Sequence, residues 1–303
     1  MSLKNRHEIL FLYDVSWANP NGDPMDENRP RIDEETGINI VSDVRLKRTV
    51  RDTLQELGFE IFLKEERKED GSLKTKEDVF AEYGKDPVKV LERCIDIRLF
   101  GGTFALKNND AFSLTGPVQF KFGHSLHKVK VALMKNTSVM PSKTDKKQGT
   151  FAETYVVPYS LIVFYGVANE KAAETTGLTD EDVDNMLKAI WVGHKASTDL
   201  ITRSKLGHEP RLLLDIIYKP ETLTHMGELD KLVSFDSDRE DEAIRDIEDG
   251  VLNLEKLKTK VEKYRDRIQK VRYRIGDRVR LRPGIEEVFA GVDLEPFPWD
   301  SEV

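Results

Sequence analysis

The chain has 303 residues, enough for one large domain with a sizeable core, and its 39% apolar and 34% charged content is that of a globular protein with broad solvated surfaces. A single cysteine, Cys94, excludes an intrachain disulfide and a cysteine-based metal cluster, and no apolar run reaches the roughly 20 residues of a membrane span. The net charge of −8 argues by itself against a nucleic-acid partner, but the charges are segregated, and a local basic patch binds phosphate even on an acidic protein.

The N-terminus, MSLKNRHEIL, lacks the apolar core of a signal peptide, so a cytoplasmic protein without membrane association is expected. Glu8–Val15 follows as a nearly continuous apolar run, the pattern of a strand buried on both faces. NPNGDPMDENRPRID, residues 19–33, then interrupts it with prolines, a glycine and charges of both signs. Ser42 is a fitting N-cap, and Leu46, Val50, Leu54 and Leu57 recur at helical spacing up to Gly58, a natural stop. Residues 58–95 are charged and locally helical and read as an insertion. Asp96–Phe100 reads as a short strand, and Pro117–Phe122 alternates, with Val118, Phe120 and Phe122 on one face.

His127–Pro158 is a polar excursion too long for an ordinary turn. Ser160–Val167 and Arg211–Tyr218 are further strands, and between them a helix runs from about Thr179 to about Trp191. With one additional strand, this order is the β-α-β-β-α-β plan of ferredoxin-like and RNA-recognition folds, an α+β class. After Pro220, apolar residues recur every three or four positions from Ile244 to Val271, which predicts a long amphipathic helix over 236–272 or two joined near Gly250. Residues 228–255 carry eleven acidic and three basic side chains, and 256–282 carry twelve basic and three acidic. That split suits a helix dipole, and contacts between neighbouring copies would also use it.

VSDVRLKRTVRD, residues 41–52, spreads Arg45, Lys47, Arg48 and Arg51 over the side of the helix opposite its apolar stripe. Cations on a rigid helix with free N-terminal amides make a phosphate-binding surface, although a solvated helix face has the same composition. In FGGTF, residues 100–104, paired glycines would let backbone approach a ligand between Phe100 and Phe104; alone, the stretch reads as a tight turn. The carboxylates of Asp14, Asp23, Asp26, Asp33, Asp43 and Asp96 have no metal-binding spacing, and HExxH, nucleophile-elbow, Walker and dinucleotide motifs are absent. No metal or other cofactor is expected. His124 and His127 close a strand, and Thr202–Gly207, with Arg203 and Lys205, is a basic loop before the last strand.

Together, DVSWANPNGDP, ENRPRID, VSDVRLKRTVRD, FGGTF and LTGPVQFKFGHSLH resemble the Cas-seven group of the RAMP superfamily, the crRNA-binding backbone subunit of type I CRISPR Cascade complexes, subtype I-B above all. The resemblance spans about residues 5–225. It implies an RNA-recognition-like palm over 1–225, a helical finger insertion at 58–95, a β-hairpin thumb at 128–158 and a helical extension, 226–303, packed on the palm. It further implies a non-enzymatic filament that holds the guide independently of sequence and presents it in segments to target DNA, with other Cascade subunits as partners.

Carried over by position, Ser42, Lys47 and Arg51 hold guide phosphates, with Arg45 and Arg48 added from the helical wheel. Arg29, Arg31, Phe100, Gly101, Gly102, His124, Arg203 and Lys205 complete the expected RNA-binding set, and Val139 and Met140 are the expected thumb wedge between bases. A rival reading comes from related RAMP proteins that cleave target RNA with a loop aspartate, a position that Asp23 would occupy.

Overall fold

A computed structural model describes residues 2–105, 111–137, 151–195, 202 and 205–299. Strand β1 (His7–Ala18) is buried along nearly its whole length. Its alternation explains why: Ile9, Phe11, Tyr13 and Val15 enter one core while Leu10 and Leu12 enter another on the opposite face. The loop after β1 contains a two-rung ladder, β2 (Gly22–Asp23) against β3 (Arg29–Pro30), and leads through β4 (Ile38–Val41) into helix α1 (Asp43–Glu56). Ser42 caps α1, and Leu46, Thr49, Val50, Thr53 and Leu54 form its buried stripe; Leu57 falls outside it, 41% exposed.

The insertion carries α2 (Lys76–Glu82) and α3 (Pro87–Arg93), which enclose a small core of their own around Phe62, Phe80, Tyr83 and Phe104. Asp96–Phe100 is not a strand: Ile95–Phe100 forms α4, with Asp96, Ile97 and Leu99 all buried. A short run buried on every side carries no period with which to separate helix from strand. Gly101, at φ 71°, turns the chain out of α4 into β5 (Gly101–Ala105), which pairs with β6 (Ala111–Thr115).

β7 (Val118–Phe120), β8 (Gly123–Lys128) and β9 (Ala132–Thr137) precede β10 (Phe151–Ala168), an 18-residue strand. Its first third pairs with β9 from Phe151 opposite Thr137 to Val156 opposite Ala132, forming an arm. The rest pairs with β1 across residues 157–168. Helices α5 (Glu170–Thr176) and α6 (Asp180–Gly193) follow, then β11 (His208–Tyr218) on the other side of β1. Helices α1 and α6 pack together on one face of the sheet, over the core that contains Phe11 and Trp191.

The expected long C-terminal helix is replaced by mixed structure. β12 (Ser234–Ser237), β13 (Gly250–Asn253), α7 (Glu255–Tyr264), β14 (Ile268–Ile275), β15 (Leu281–Arg282), α8 (Ile285–Val288) and β16 (Asp293–Pro296) occupy the region. The apolar positions that suggested a helix do face a core: Ile244, Ile247, Leu254, Leu257, Val261, Ile268 and Val271 are all buried against the second face of the sheet. Only the ten residues of α7 keep helical geometry among them. Asp246 and Asp249 cap a single turn, Gly250 is extended, and the β-branched and aromatic run from Ile268 joins the sheet as β14 beside β11. The main sheet thus runs β16-β14-β11-β1-β10-β8-β4, with β7 and β9 also paired to β10, and is covered on both faces.

The opposed charge blocks are used within the chain. Arg278 pairs with Asp246 and Glu248, both at 3.0 Å, and Arg282 with Asp236, while Arg239 and Asp249 pair at 3.0 Å within the acidic block.

Candidate nucleic-acid interface

The loop at 19–33 is fastened to the start of α1. Asn21 Oδ1 accepts the Ser42 N–H at 2.8 Å, and Ser42 Oγ accepts the Arg45 N–H at 3.3 Å. The same loop is fastened to the β9–β10 arm. The Arg29 guanidinium lies 4.5 Å from the centre of the Tyr155 ring and donates to its hydroxyl at 2.9 Å, while that hydroxyl donates to Glu27 at 3.0 Å. Between loop, arm and helix N-terminus lies a groove of about 810 Å³, lined among others by Arg29, Arg31, Ser42, Phe122, Leu133 and Tyr155. Phe122 is 60% exposed there. The sequence pattern aligned it with Phe120, but β7 ends at Phe120 and β8 begins at Gly123, so the alternation breaks between them. An arginine pair, exposed aromatic surface and a helix N-terminus are the ingredients with which proteins hold single-stranded nucleic acid.

Asp23, in this loop, is committed to structure. Its carboxylate pairs with Arg31 at 3.2 Å and accepts the Met25 N–H at 3.0 Å. The other carboxylates singled out in the sequence are dispersed. Asp14 is buried with Arg211 at 2.8 Å and the Tyr159 hydroxyl at 2.9 Å, Asp43 pairs with Lys47, and Asp96 with Arg51. Among the described residues no three His, Cys, Asp or Glu side chains are grouped to hold a metal ion.

The cations of α1 divide by environment. Lys47 and Asp43 pair at 2.9 Å one turn apart, and Arg48 grips Asp52 from a largely exposed position. Arg51 turns inward to Asp96 at 3.1 Å, and Lys47 and Arg51 both lie over the Phe100 ring, at 5.6 and 5.0 Å. The FGGTF turn thus meets the basic helix through Phe100. Its glycines have a local reason: a Cβ on Gly101 would stand 2.2 Å from the Leu114 carbonyl oxygen.

Arg45 points toward the end of β1, where it acts electrostatically on Tyr13, His194, Lys205 and His208. Lys205 Nζ donates to the carbonyls of Asn19 and Pro20 at 2.5 and 2.9 Å, so it belongs to the same assembly as the loop. Burial and then Arg45 push its ammonium down to about 7, against which the two carbonyls act by holding the proton. His194 donates from Nδ1 to the Ile190 carbonyl at 2.7 Å, and burial brings it down to about 3. Burial also holds His208 well below the usual imidazole range, and neither of its ring nitrogens has a hydrogen-bond partner.

His124 is elsewhere. Its Nε2 faces Asp230 at 3.4 Å, beside Lys121, on the face of the sheet covered by the C-terminal segment rather than the one carrying α1. Burial pushes Asp230 up, but the hydrogen bonds from His124 and Lys121 outweigh it and hold the carboxyl at about 2. Arg203, Val139 and Met140 lie outside the described residues. Phe122 and Tyr155 in the groove, and Asn21, which ties the loop to the start of α1, are residues that sequence reasoning passed over. Asn21 and Tyr155 gave no local signal, because each acts on a partner remote in sequence.

A sequence profile of the family described as CRISPR-associated protein Cas7 matches residues 5–255. A relative from Haloferax volcanii, described as CRISPR-associated protein Cas7, is 34% identical over 290 residues, covering 86% of this chain and 84% of its own. Among solved structures, a chain of a CRISPR RNA-guided surveillance complex has a TM-score of 0.56 at 16% identity, covering 97% of this chain and 94% of its own. A chain described as belonging to such a complex in a pre-nicking form has a TM-score of 0.55 at 12% identity, with 96% of each chain covered. At these identities the solved structures speak for the fold.

Proposed function

We propose, from the premise that the chain belongs to the CRISPR-associated Cas7 family, that it is a crRNA-binding backbone subunit of an RNA-guided surveillance complex. Within that reading the complex is a type I Cascade assembly of subtype I-B, and copies of the chain line up along one guide in the cytoplasm. The β-α-β-β-α-β core acts as a ferredoxin-like palm, the insertion as a finger and the β9–β10 arm as a thumb. Other Cascade subunits are its partners, and the guide is presented in segments to target DNA, with base pairing reading the sequence.

The observation that carries the reading is 34% identity maintained over 290 residues with a Cas7 protein. The groove between loop, arm and α1 supports it: Arg29 and Arg31 stand there beside the exposed Phe122 ring and the start of α1, groups that suit a sequence-independent hold on single-stranded RNA, with Asp23, Asp26 and Glu34 of the same loop lining it too. The subunit is a binder and not a nuclease in this reading; Asp23, tied to Arg31 and the Met25 amide, shapes the loop.

Purifying the chain from its host complex and sequencing the bound nucleic acid tests the proposal. RNA of uniform length sharing a repeat-derived end is expected, and a complex free of nucleic acid would overturn it. Incubating the complex with complementary RNA and magnesium addresses the rival role: Asp23-dependent cuts at regular spacing would replace the binder with a ribonuclease.

A further inference from the structure

The end of β1 has a feature that neither core packing nor strand pairing requires. Trp17 has a φ of 49°, in the left-handed region that a bulky side chain rarely enters. Its neighbours keep the register, with Ser16 opposite Tyr159 and Ala18 opposite Val157, so Trp17 comes level with Pro158, which has no N–H to offer. The indole is 53% exposed, and among the described residues no ring or cation packs on it. Leu206, two residues before the start of β11, is 67% exposed. Gly207 holds this corner together: its carbonyl accepts the Ser16 N–H at 3.0 Å, and a Cβ there would stand 2.4 Å from the Ser16 oxygen.

A strained residue persists only where its surroundings over-determine it. Here they do. Two and three residues beyond Trp17, the carbonyls of Asn19 and Pro20 are clamped by Lys205, and Asn21 is locked to the Ser42 amide at the start of α1. Asn19 in turn donates to the Asn28 carbonyl at 2.7 Å. The indole is therefore presented outward on a rigid mount that also carries two cations, Lys205 and Arg45. After its two carbonyl contacts the Lys205 ammonium retains a further N–H donor.

We propose that Trp17 is a stacking platform for an unpaired base of bound single-stranded RNA, with Lys205 and Arg45 facing the adjoining phosphate. The inference rests on the crRNA-binding reading and adds to it a residue that contacts a base. A base is favoured over a protein side chain as the occupant because the mount carries two cations, Lys205 fixed on the Asn19 and Pro20 carbonyls and Arg45 in the first turn of α1, which suit a polyanion. Stacking also tolerates any base, as a guide of arbitrary sequence demands.

The test uses the full chain stripped of nucleic acid by high salt and titrated with fluorescein-labelled oligouridylate. Trp17→Ala is expected to weaken binding about tenfold and to abolish most of the tryptophan quenching on binding, since Trp191 is buried and Trp299 is stacked on Phe297. Trp17→Phe should recover most of the affinity. The salt dependence of binding should stay unchanged in both variants, whereas Lys205→Ala should lower its slope by about one when binding is measured at about pH 6, where the ammonium is charged. Wild-type binding with full affinity and full quenching retained in Trp17→Ala would overturn the platform and leave the crRNA reading standing. Absence of binding by wild type would overturn both. A loss of self-association in RNA-free Trp17→Ala, with RNA affinity unchanged, would reassign the corner to a protein contact and overturn the proposal.

Discussion

Arg51 reaches across from α1 to place its guanidinium 3.1 Å from Asp96, a carboxylate with no solvent exposure that also accepts the N–H groups of Phe62 and Leu63 at 2.8 and 3.1 Å. One side chain thus anchors the insertion to the helix. Removing it would leave a buried carboxylate with its amides alone, and breaking such a pair costs about 3 kcal/mol. Arg51→Ala is expected to lower the melting temperature markedly. Arg48→Ala, at a half-exposed side chain that pairs with Asp52, should cost less, about 1 kcal/mol or below. Reversing Lys47 and Arg51 together is therefore no clean probe of RNA binding, because Arg51 carries fold stability as well.

Gly101→Ala should destabilise strongly. The new methyl would collide with the Leu114 carbonyl and the residue would be held at φ 71°, so about 2 kcal/mol or more is expected in urea unfolding. Gly71 is also at positive φ, but a methyl there would meet nothing within 4 Å, so the same change should cost less.

Acid should destabilise the protein through His194 and His208. Both are held neutral in the fold, His194 down to about 3, whereas an unfolded imidazole takes a proton below about 6.5. Below that pH the unfolded chain binds more protons, so stability falls as pH drops toward the folded-state value and is unaffected by these groups above it. His208→Leu removes two unpartnered nitrogens and one such proton. Its stability should fall less steeply between pH 6 and 4, by about 1.4 kcal/mol per pH unit, when thermal melts of the two proteins are compared.

Tyr155→Ala should release the loop from the arm by removing the ring under Arg29 and the acceptor of its N–H. Amide hydrogen exchange in residues 19–33 is expected to quicken, with β1 unaffected. Tyr155→Phe keeps the ring and should show a smaller change.

Arg272→Ala should cost about 3 kcal/mol, because Arg272 and His7 are the groups that compensate Asp215, a carboxylate without solvent exposure. Arg278→Glu should stay within about 1 kcal/mol, and size-exclusion elution should not move, since its partners Asp246 and Glu248 are in the same chain. A shift toward smaller species would restore the idea that the charge blocks join neighbours.

The strands and helices of the central sheet were legible because each carries its own period: β1 buried on both faces, α1 with a narrow stripe behind Ser42, α6 capped by Thr179. The C-terminal third misled because two facts coincide. Apolar residues spaced three or four apart from Ile244 to Val271, Val251 excepted, reach one core, but they do so from loop, strand and a single ten-residue helix. Periodicity records which residues are buried, and a meandering chain can bury residues at helical intervals without being helical. In the candidate site, the basic character of α1 was plain in the sequence, whereas the distinction between Arg48, half exposed, and Arg51, turned onto Asp96, depends on an insertion folding back from 45 residues away. The placement of His124 on the opposite face of the sheet is likewise a product of strand order.

The long strand β10 has a mechanical consequence. Its 18 residues span about 60 Å as one uninterrupted backbone, running from the projecting arm to a place beside β1 at the centre of the sheet. Force applied to the arm along that axis loads the ladder with β1 in shear, so its hydrogen bonds share the load together and do not break in succession. The arm is in this sense a lever with its fulcrum in the core. A molecule that gripped it would move, or be resisted by, the whole sheet.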